Sequence, residues 1–261
     1  MRKTDVSLVL ACYNEGPTFE TSVQRIIQIL EKLKRNWEII FVEDKSTDET
    51  KKTIEELVSK IKNSHLRQGH STLKVSDSKS FGGQAKAIYH SKNQGRGKSV
   101  ADGIWASRSK ICGYLDVDLE VSPDYIPLFV REIEDGADIA IGRRFYEGGI
   151  KSIVRYLASK TYALAVKTLL KIPIEDTEAG YKFFKRSKIL PILSKVYDKH
   201  WFWDTEICAR AYWSGLKINE IPVLFVRRYD KKSTLKLIPD TWDYLIKIVK
   251  FRSQLSKLHP Q

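Results

Sequence analysis

Apolar residues in the first half of the chain alternate between two rhythms. VSLVLA (6–11) and WEIIFV (37–42) are short runs rich in β-branched residues, and between them Val23, Ile26, Ile27, Leu30 and Leu33 recur at helical spacing. The pattern predicts a β-α-β unit. After the second strand, EDKSTDET sets Ser46 three residues before Glu49, a capping-box spacing that opens a helix through Ile54, Leu57, Val58 and Ile61. The alternation continues with a strand at KAIYH (86–90), a helix from about Lys98 to Arg108, the strand ICGYLDV (111–117), a helix from Pro123 to Glu134 and the strand ADIAIG (137–142). Strands alternating with helices imply an α/β fold whose mainly parallel sheet is flanked by helices. Residues 63–84 are polar and rich in Gly and Ser, and read as a flexible excursion with at most one short strand. Beyond residue 150 follow a helical stretch Val154–Leu170, a loop IPIEDTEAGYKFF, a helix around Asp204–Tyr212, the strand INEIPVLFV and a last amphipathic helix at about 238–257. With no internal repeat and no linker, residues 1–261 read as a single domain.

Charge changes this picture. The chain carries 45 Lys and Arg against 32 Asp and Glu, a formal net charge of +13, which suits anionic partners such as nucleotides, phospholipids or nucleic acid. Cys12, Cys112 and Cys208 are far apart in or beside apolar or helical stretches, as buried free thiols of a reducing compartment are, so the cytoplasm is expected. The start, MRKTDVSLVLACYNE, has too short an apolar run for a signal segment and reads as a first strand. Nowhere do about 18 apolar residues run together, so membrane contact is expected to be peripheral.

Against this basic background, LDVDLE (115–120) gathers Asp116, Asp118 and Glu120 at the end of an apolar strand. The C-terminal ends of parallel strands are where open α/β sheets place their ligands. While the strand stays extended, period two sets the three acids on one side, where they repel unless protonated or bridged by a cation. Hard oxygens with room for substrate oxygens suit Mg²⁺ or Mn²⁺ holding a diphosphate. The same acids also fit a solvated strand-to-helix loop, with Ser122 as N-cap and Pro123 at N1 of the next helix. YNE (13–15) and EDKSTD (43–48) bring acids and amides to the ends of the first two strands. Asp44 there suits either a base or ribose contact, or a turn beside Ser46. NQGRGKSVADG (93–103) is a Gly-containing turn opening a helix, with Arg96 and Lys98 near phosphate-binding backbone amides.

In this order YNE, the acidic turn after strand two, NQGRGKSVADG and DVDLE resemble the family 2 glycosyltransferases of the GT-A fold. GRRFYEGG, DTEAGYKFFKR, WDTEICARAYWSGLKINEIPV and RRYDKKS resemble later motifs of the dolichyl-phosphate mannose and glucose synthase branch. The resemblance implies an inverting transfer of a sugar from a UDP- or GDP-sugar to a polyprenyl phosphate, at the cytoplasmic face of a membrane. By position it implies that Ala11, Tyr13, Glu15, Asp44, Arg96, Gly97 and Asp116 hold the nucleotide sugar. Asp116, Asp118 and Glu120 would hold Mg²⁺ or Mn²⁺, and Arg144, Arg155 and Arg228 the phosphates of donor and acceptor. Asp116, Asp118, Asp176, Asp204 and Glu206 would be the catalytic acids, with Glu178 to Lys182 lining the sugar and acceptor side. The chain departs from the branch at Glu43-Asp44-Lys45, where two aspartates and a Gly are usual, at Glu120 for Gln, and at Lys231 for Gly and Thr234 for Lys.

A phosphate acceptor is already anionic and needs little base, whereas a sugar hydroxyl needs Asp176, Asp204 or Glu206 as one. On the last helix Ile238, Trp242, Leu245, Ile246 and Val249 share a face, with Lys247, Lys250 and Arg252 available to the other. That face suits either packing on its own domain or an anionic membrane. Nucleotidylyl transfer would also use clustered carboxylates and a metal, but ranks low because the Gly-rich, basic N-terminal signature expected for it is missing. Nucleic-acid binding explains the charge but not the three acidic motifs, and no nucleic-acid partner is expected.

Overall fold

The structure, a computed structural model, describes residues 4–68, 82–146, 153–228, 244 and 246–253, with the side chains of 64–68 and 153–161 left aside. Its elements are β1 (Val6–Cys12), α1 (Phe19–Lys32), β2 (Trp37–Glu43), α2 (Thr50–Gln68), β3 (Gly83–Tyr89), α3 (Arg96–Ala106), β4 (Ile111–Leu115), α4 (Ile126–Glu134), β5 (Ile139–Tyr146), α5 (Ile153–Leu170), β6 (Tyr181–Lys185), α6 (Arg186–Leu193), α7 (Trp203–Trp213) and β7 (Ile218–Phe225). Residues 246–253 form a further, terminal helix.

The strands make one seven-stranded sheet in the order β3-β2-β1-β4-β6-β5-β7. Only β6 runs against its neighbours, pairing antiparallel with both β4 and β5. Period two divides the strands between two cores, because successive side chains leave opposite faces. Leu8, Leu10, Ile39, Phe41 and Phe183 pack on one face with Val23, Ile26 and Leu30 of α1 and Phe129 of α4. Val9, Ile40, Val42, Tyr114 and Phe184 pack on the other with Ile104 of α3, Val166 of α5, Ile207 of α7, and Ile248 and Phe251 of the terminal helix. Burial on both faces is why these strands read as nearly continuous apolar runs.

Several boundaries depart from the sequence pattern. The helix after β2 runs on to Gln68 and β3 begins at Gly83, so the expected excursion at 63–84 is helix or strand at both ends, and residues 69–81 lie outside those described. The expected capping box is not made: Thr50 N–H donates to Asp48 Oδ1 at 2.9 Å, while Ser46 Oγ accepts from Asn14 N–H at 3.1 Å. YKFF, expected within a loop, is the interior strand β6, followed at once by α6, whose internal Pro191 masks its helical pattern. Ser122 does cap the turn at Pro123–Tyr125, accepting from Asp124 N–H at 3.2 Å. Cys12, Cys112 and Cys208 are buried free thiols, as expected.

The terminal helix buries a different stripe from the expected one. Ile248 and Phe251, with Tyr244 before them, pack on the domain, whereas Ile246 and Val249 are exposed; Ile238, Trp242 and Leu245 lie outside the described residues. No described helix is long and apolar enough to cross a membrane.

Phe183 is fully buried and its ring lies 5.6 Å from that of Phe129 and 6.0 Å from that of Tyr181. Phe183→Ala should cost about 3–5 kcal/mol, as large aromatic-to-Ala changes in a closed core do, read as a lowered midpoint in urea unfolding with an unchanged slope.

Candidate active site at the strand ends

Because β1, β2, β3 and β4 are parallel, their C-terminal ends share one edge of the sheet. Leu115 pairs with Tyr181, so the antiparallel β6 delivers its N-terminal end, and the turn 176–180 before it, to the same edge. β5 and β7 add Arg144 and the residues after Phe225. The exits of β1 and β2 are tied together. Thr47 N–H donates to Asn14 Oδ1 at 2.8 Å and Glu15 N–H to Thr50 Oγ1 at 2.9 Å. Asn14 and Lys45 adopt φ of 52° and 65°, the left-handed turns that release each strand. Tyr13 is left exposed, Glu15 Oε1 accepts from Tyr13 N–H at 3.0 Å, and Ala11 is the half-buried penultimate residue of β1.

Asp116, Asp118 and Glu120 reach the edge, but not on one side of an extended strand. β4 ends at Leu115, residues 117–118 turn, and Leu119 takes φ of 55°, so the expected alternation stops. Their repulsion is relieved by arginines. Arg96 Nη2 donates to Asp116 Oδ1 at 2.6 Å. Arg228 donates from its backbone N–H to Glu120 Oε1 and from Nη1 to the Asp118 carbonyl, both at 3.1 Å, and Arg227 lies 3.6 Å from Glu120. Asp118 Oδ1 accepts from Glu120 N–H at 3.1 Å. Asp118 and Arg228 also line a small cavity with Glu15, Thr18, Phe19, Ser22 and Val117.

Arg96 reaches further inward. Its Nη1 donates to Asp204, and its guanidinium lies 5.5 Å from the ring centres of both Tyr114 and Trp201. Asp204 is buried and also accepts from the Tyr114 hydroxyl and from Lys182 Nζ, the latter at 2.7 Å. Tyr114 and Lys182 are cross-strand partners facing the same side, which sets both donors before α7. Burial alone would push Asp204 up, but Arg96 and Lys182 hold it below the usual carboxylate range. Gly180 completes the contact: its carbonyl accepts from Asp116 N–H at 3.0 Å, and a Cβ there would collide with the Asp116 carboxylate.

Asp44 is buried. Its carboxylate accepts from Gln94 N–H and Gly95 N–H, both at 2.8 Å, and pairs with His90 Nδ1 at 2.7 Å. The other His90 nitrogen lies 3.0 Å from Asp102, which also pairs with Lys98. Asp44 therefore holds the turn that presents Arg96 and Gly97, and Gly97 fits against Trp203 where a side chain would not. His90 escaped the sequence reading. Its place at the end of a parallel strand, level with the acidic ends of the others, was the available signal.

On the far side Arg144 grips Asp176 through Nε and Nη2, both at 2.8 Å, and its backbone N–H adds a third bond at 3.0 Å. Burial would raise the Asp176 carboxyl, yet Arg144 draws it below its ordinary value. Glu206 is buried in α7 and pairs with Arg210 at 2.7 Å while accepting from the Tyr197 and Asp198 amides, which fixes that loop. The structure does not bring it to Asp116. Arg155 falls on α5, but its side chain lies outside those described, as do Lys231 and Thr234.

Residues 7–192 match the family model described as glycosyl transferase family 2. The chain belongs to that family. Among family relatives it is 27% identical over 266 residues to dolichol-phosphate mannosyltransferase of Pyrococcus furiosus, covering 97% of this chain and 66% of that protein. To glycosyltransferase AglD of Haloferax volcanii it is 28% identical over 236 residues, covering 88% of this chain but 34% of that protein. To the dolichyl-phosphate beta-glucosyltransferase of Saccharomyces cerevisiae it is 26% identical, covering 84% and 66%. The chain thus spans between a third and two thirds of the length of these curated relatives. Glucosyl-3-phosphoglycerate synthase of Mycobacterium tuberculosis, solved with Mn²⁺, uridine diphosphate and glucosyl-3-phosphoglycerate, superposes with a TM-score of 0.65 at 16% identity, over 95% of this chain and 80% of that one. The likeness shows the fold, which is GT-A.

Asp204→Ala should destabilise the protein by about 3–5 kcal/mol, because Lys182 would stay buried without a counter-charge. Asp204→Leu combined with Lys182→Met should recover most of that loss, as measured by chemical denaturation.

Proposed function

We propose that this family 2 chain is an inverting glycosyltransferase, acting as one GT-A unit, that moves glucose or mannose from a UDP- or GDP-sugar to a dolichyl-type polyprenyl phosphate. Family membership and the names of its relatives support the reaction class and the acceptor. One observation supports a phosphate acceptor over a hydroxyl. Each carboxylate that the sequence offers as a base is neutralised by a buried or half-buried cation: Asp176 by Arg144, Asp204 by Arg96 and Lys182, and Glu206 by Arg210. A carboxylate so paired is a poor proton acceptor, and a phosphate needs none.

Nucleotide and acceptor divide between the two sides of the edge. Tyr13 and Glu15 flank the nucleotide, and Asp44 presents Arg96 and Gly97 to it from the turn it holds. Arg96 in turn fixes Asp116, while Arg144, Arg155 and Arg228 receive the phosphates of donor and acceptor, with Asp176 setting the pose of Arg144. Asp204 and Glu206 act as supports from within α7.

Mn²⁺ or Mg²⁺ accompanies uridine diphosphate in the solved structures of the mycobacterial synthase. Among the described residues no three His, Cys, Asp or Glu side chains converge as a metal cage. Mg²⁺-like ions shared with a diphosphate need only one or two protein carboxylates, so the hard oxygens of Asp116 and Asp118 at this edge fit such an ion. Asp118, with Asp116 and Glu120, would hold it, and the ion would supply charge neutralisation for the departing nucleoside diphosphate. Positioning of the acceptor phosphate by the arginines, opposite the leaving group, favours attack from the far face and inversion at the anomeric carbon. The exposed Ile246 and Val249 on the terminal helix, and the surplus of basic residues, suit peripheral contact with the cytoplasmic face of a membrane.

Nucleoside diphosphate release should be measured from UDP- and GDP-sugars with Mn²⁺ or Mg²⁺, with and without a short polyprenyl phosphate. Release that requires the lipid, and falls at least about a hundredfold in Asp118→Ala, as loss of one electrostatic element does, is the expected result. Donor binding without lipid-stimulated release would overturn the acceptor and favour a saccharide hydroxyl.

A further inference from the structure

One acid at the strand edge has no counter-ion among the described residues. Glu178 sits in the turn between Asp176, gripped by Arg144, and Gly180, pressed against Asp116. It is half-buried, and its carboxyl makes no hydrogen bond or ion pair among the described residues. Charged groups surround it from several elements: Arg144 of β5, Asp176 of its own turn, Lys182 of β6 and Asp204 of α7. Tyr162 of α5 and Tyr244 before the terminal helix also face it, and burial keeps both phenols neutral by raising them above their ordinary value. The two cations in this ring are already committed, Arg144 to Asp176 and Lys182 to Asp204. Among the described residues, an ionised Glu178 therefore has no cation of its own to answer it.

We propose that Glu178 is a proton-linked acceptor contact, whose protonated carboxyl donates a hydrogen bond to the acceptor phosphate beside Arg144 and whose ionised form repels that phosphate. The inference rests on the phosphate-acceptor reading above. A carboxylic acid can donate a hydrogen bond to an anion only while it keeps its proton. Burial, against the pull of Arg144 and with the push of Asp176 and Asp204, lifts this carboxyl to about 7, so it changes charge in the neutral range. The proton stays on Glu178 throughout transfer: no bond to it is made or broken, and the acceptor oxygen attacks as the anion it already is. Glu178 is thus a positioning residue that makes acceptor affinity depend on pH while donor affinity does not.

The test is the pH dependence, from 6 to 9, of the KM for a short polyprenyl phosphate in wild type, Glu178→Gln and Glu178→Ala, with donor affinity titrated in the same samples to confirm folding. In the wild type the acceptor KM should rise toward about tenfold per pH unit above about 7, the slope of one controlling proton. Glu178→Gln, a permanently neutral donor of similar shape, should flatten that rise. Glu178→Ala should flatten it too, but at a KM about tenfold higher near pH 6, since a hydrogen bond to a charged group is lost. Persistence of the alkaline rise in Glu178→Gln would overturn the proposal. So would a collapse of kcat with little change in KM, which marks a general base acting on a hydroxyl. A wild type that binds donor but transfers nothing to polyprenyl phosphate at any pH would overturn the acceptor reading itself, and this inference with it.

Discussion

The arginine at position 96 joins an exposed acid to a buried one. Through Asp116 it touches the open edge of the sheet, and through Asp204 it is anchored to α7, with Lys182 and Tyr114 closing the buried side. An arginine held this deeply keeps its charge, because burial's tendency to strip it is outweighed by the two carboxylates. The fold must meet several conditions for this to occur. α3 has to begin at Arg96, which the buried Asp44 secures by accepting the Gln94 and Gly95 amides. α7 must present Asp204 toward the sheet, and the turn that enters β6 must carry a glycine, Gly180, against Asp116.

The reversed strand β6 is what makes the edge asymmetric. Four parallel strands supply acids and a histidine from their C-terminal ends, while β6 contributes its entry turn, with Asp176, Glu178 and Gly180. Beyond it β5 and β7 bring arginines. The edge therefore grades from a side rich in amides and acids to a side rich in guanidinium groups. Opposite charges interleave there, which keeps a chain of net charge +13 from repelling itself at its own crevice.

Much of this was legible in the residues. The β-α-β rhythm through β4 followed from periodicity, because buried parallel strands and one-sided helices leave clean signals. β6 and α6 were not, since YKFF follows a turn-rich stretch and Pro191 interrupts the helix after it. The acids at 13–15, 43–48 and 116–120 were placed at one edge by strand polarity alone, and they meet there. Their pairing was beyond reach. Period two could not foresee that Leu119 would turn left-handed, and although spacing put Asp204 and Glu206 on a helix, it could not show the cations that each of them meets. Side-chain partners 20 to 108 residues apart, as Arg96 has in Asp116 and Asp204, are set by the assembled sheet.

The most direct measurement is a double-mutant cycle on metal-dependent nucleoside diphosphate binding, using Arg96→Met, Asp116→Asn and the pair together, followed by calorimetry with UDP or GDP and Mn²⁺. If Arg96 acts by fixing Asp116, each single change weakens binding and the double change is scarcely worse than the more severe single one, a coupling of about 0.5–3 kcal/mol. Strictly additive losses, or unaltered binding in Arg96→Met, would mean that the two residues act separately and that the buried anchor on α7 does not organise the site.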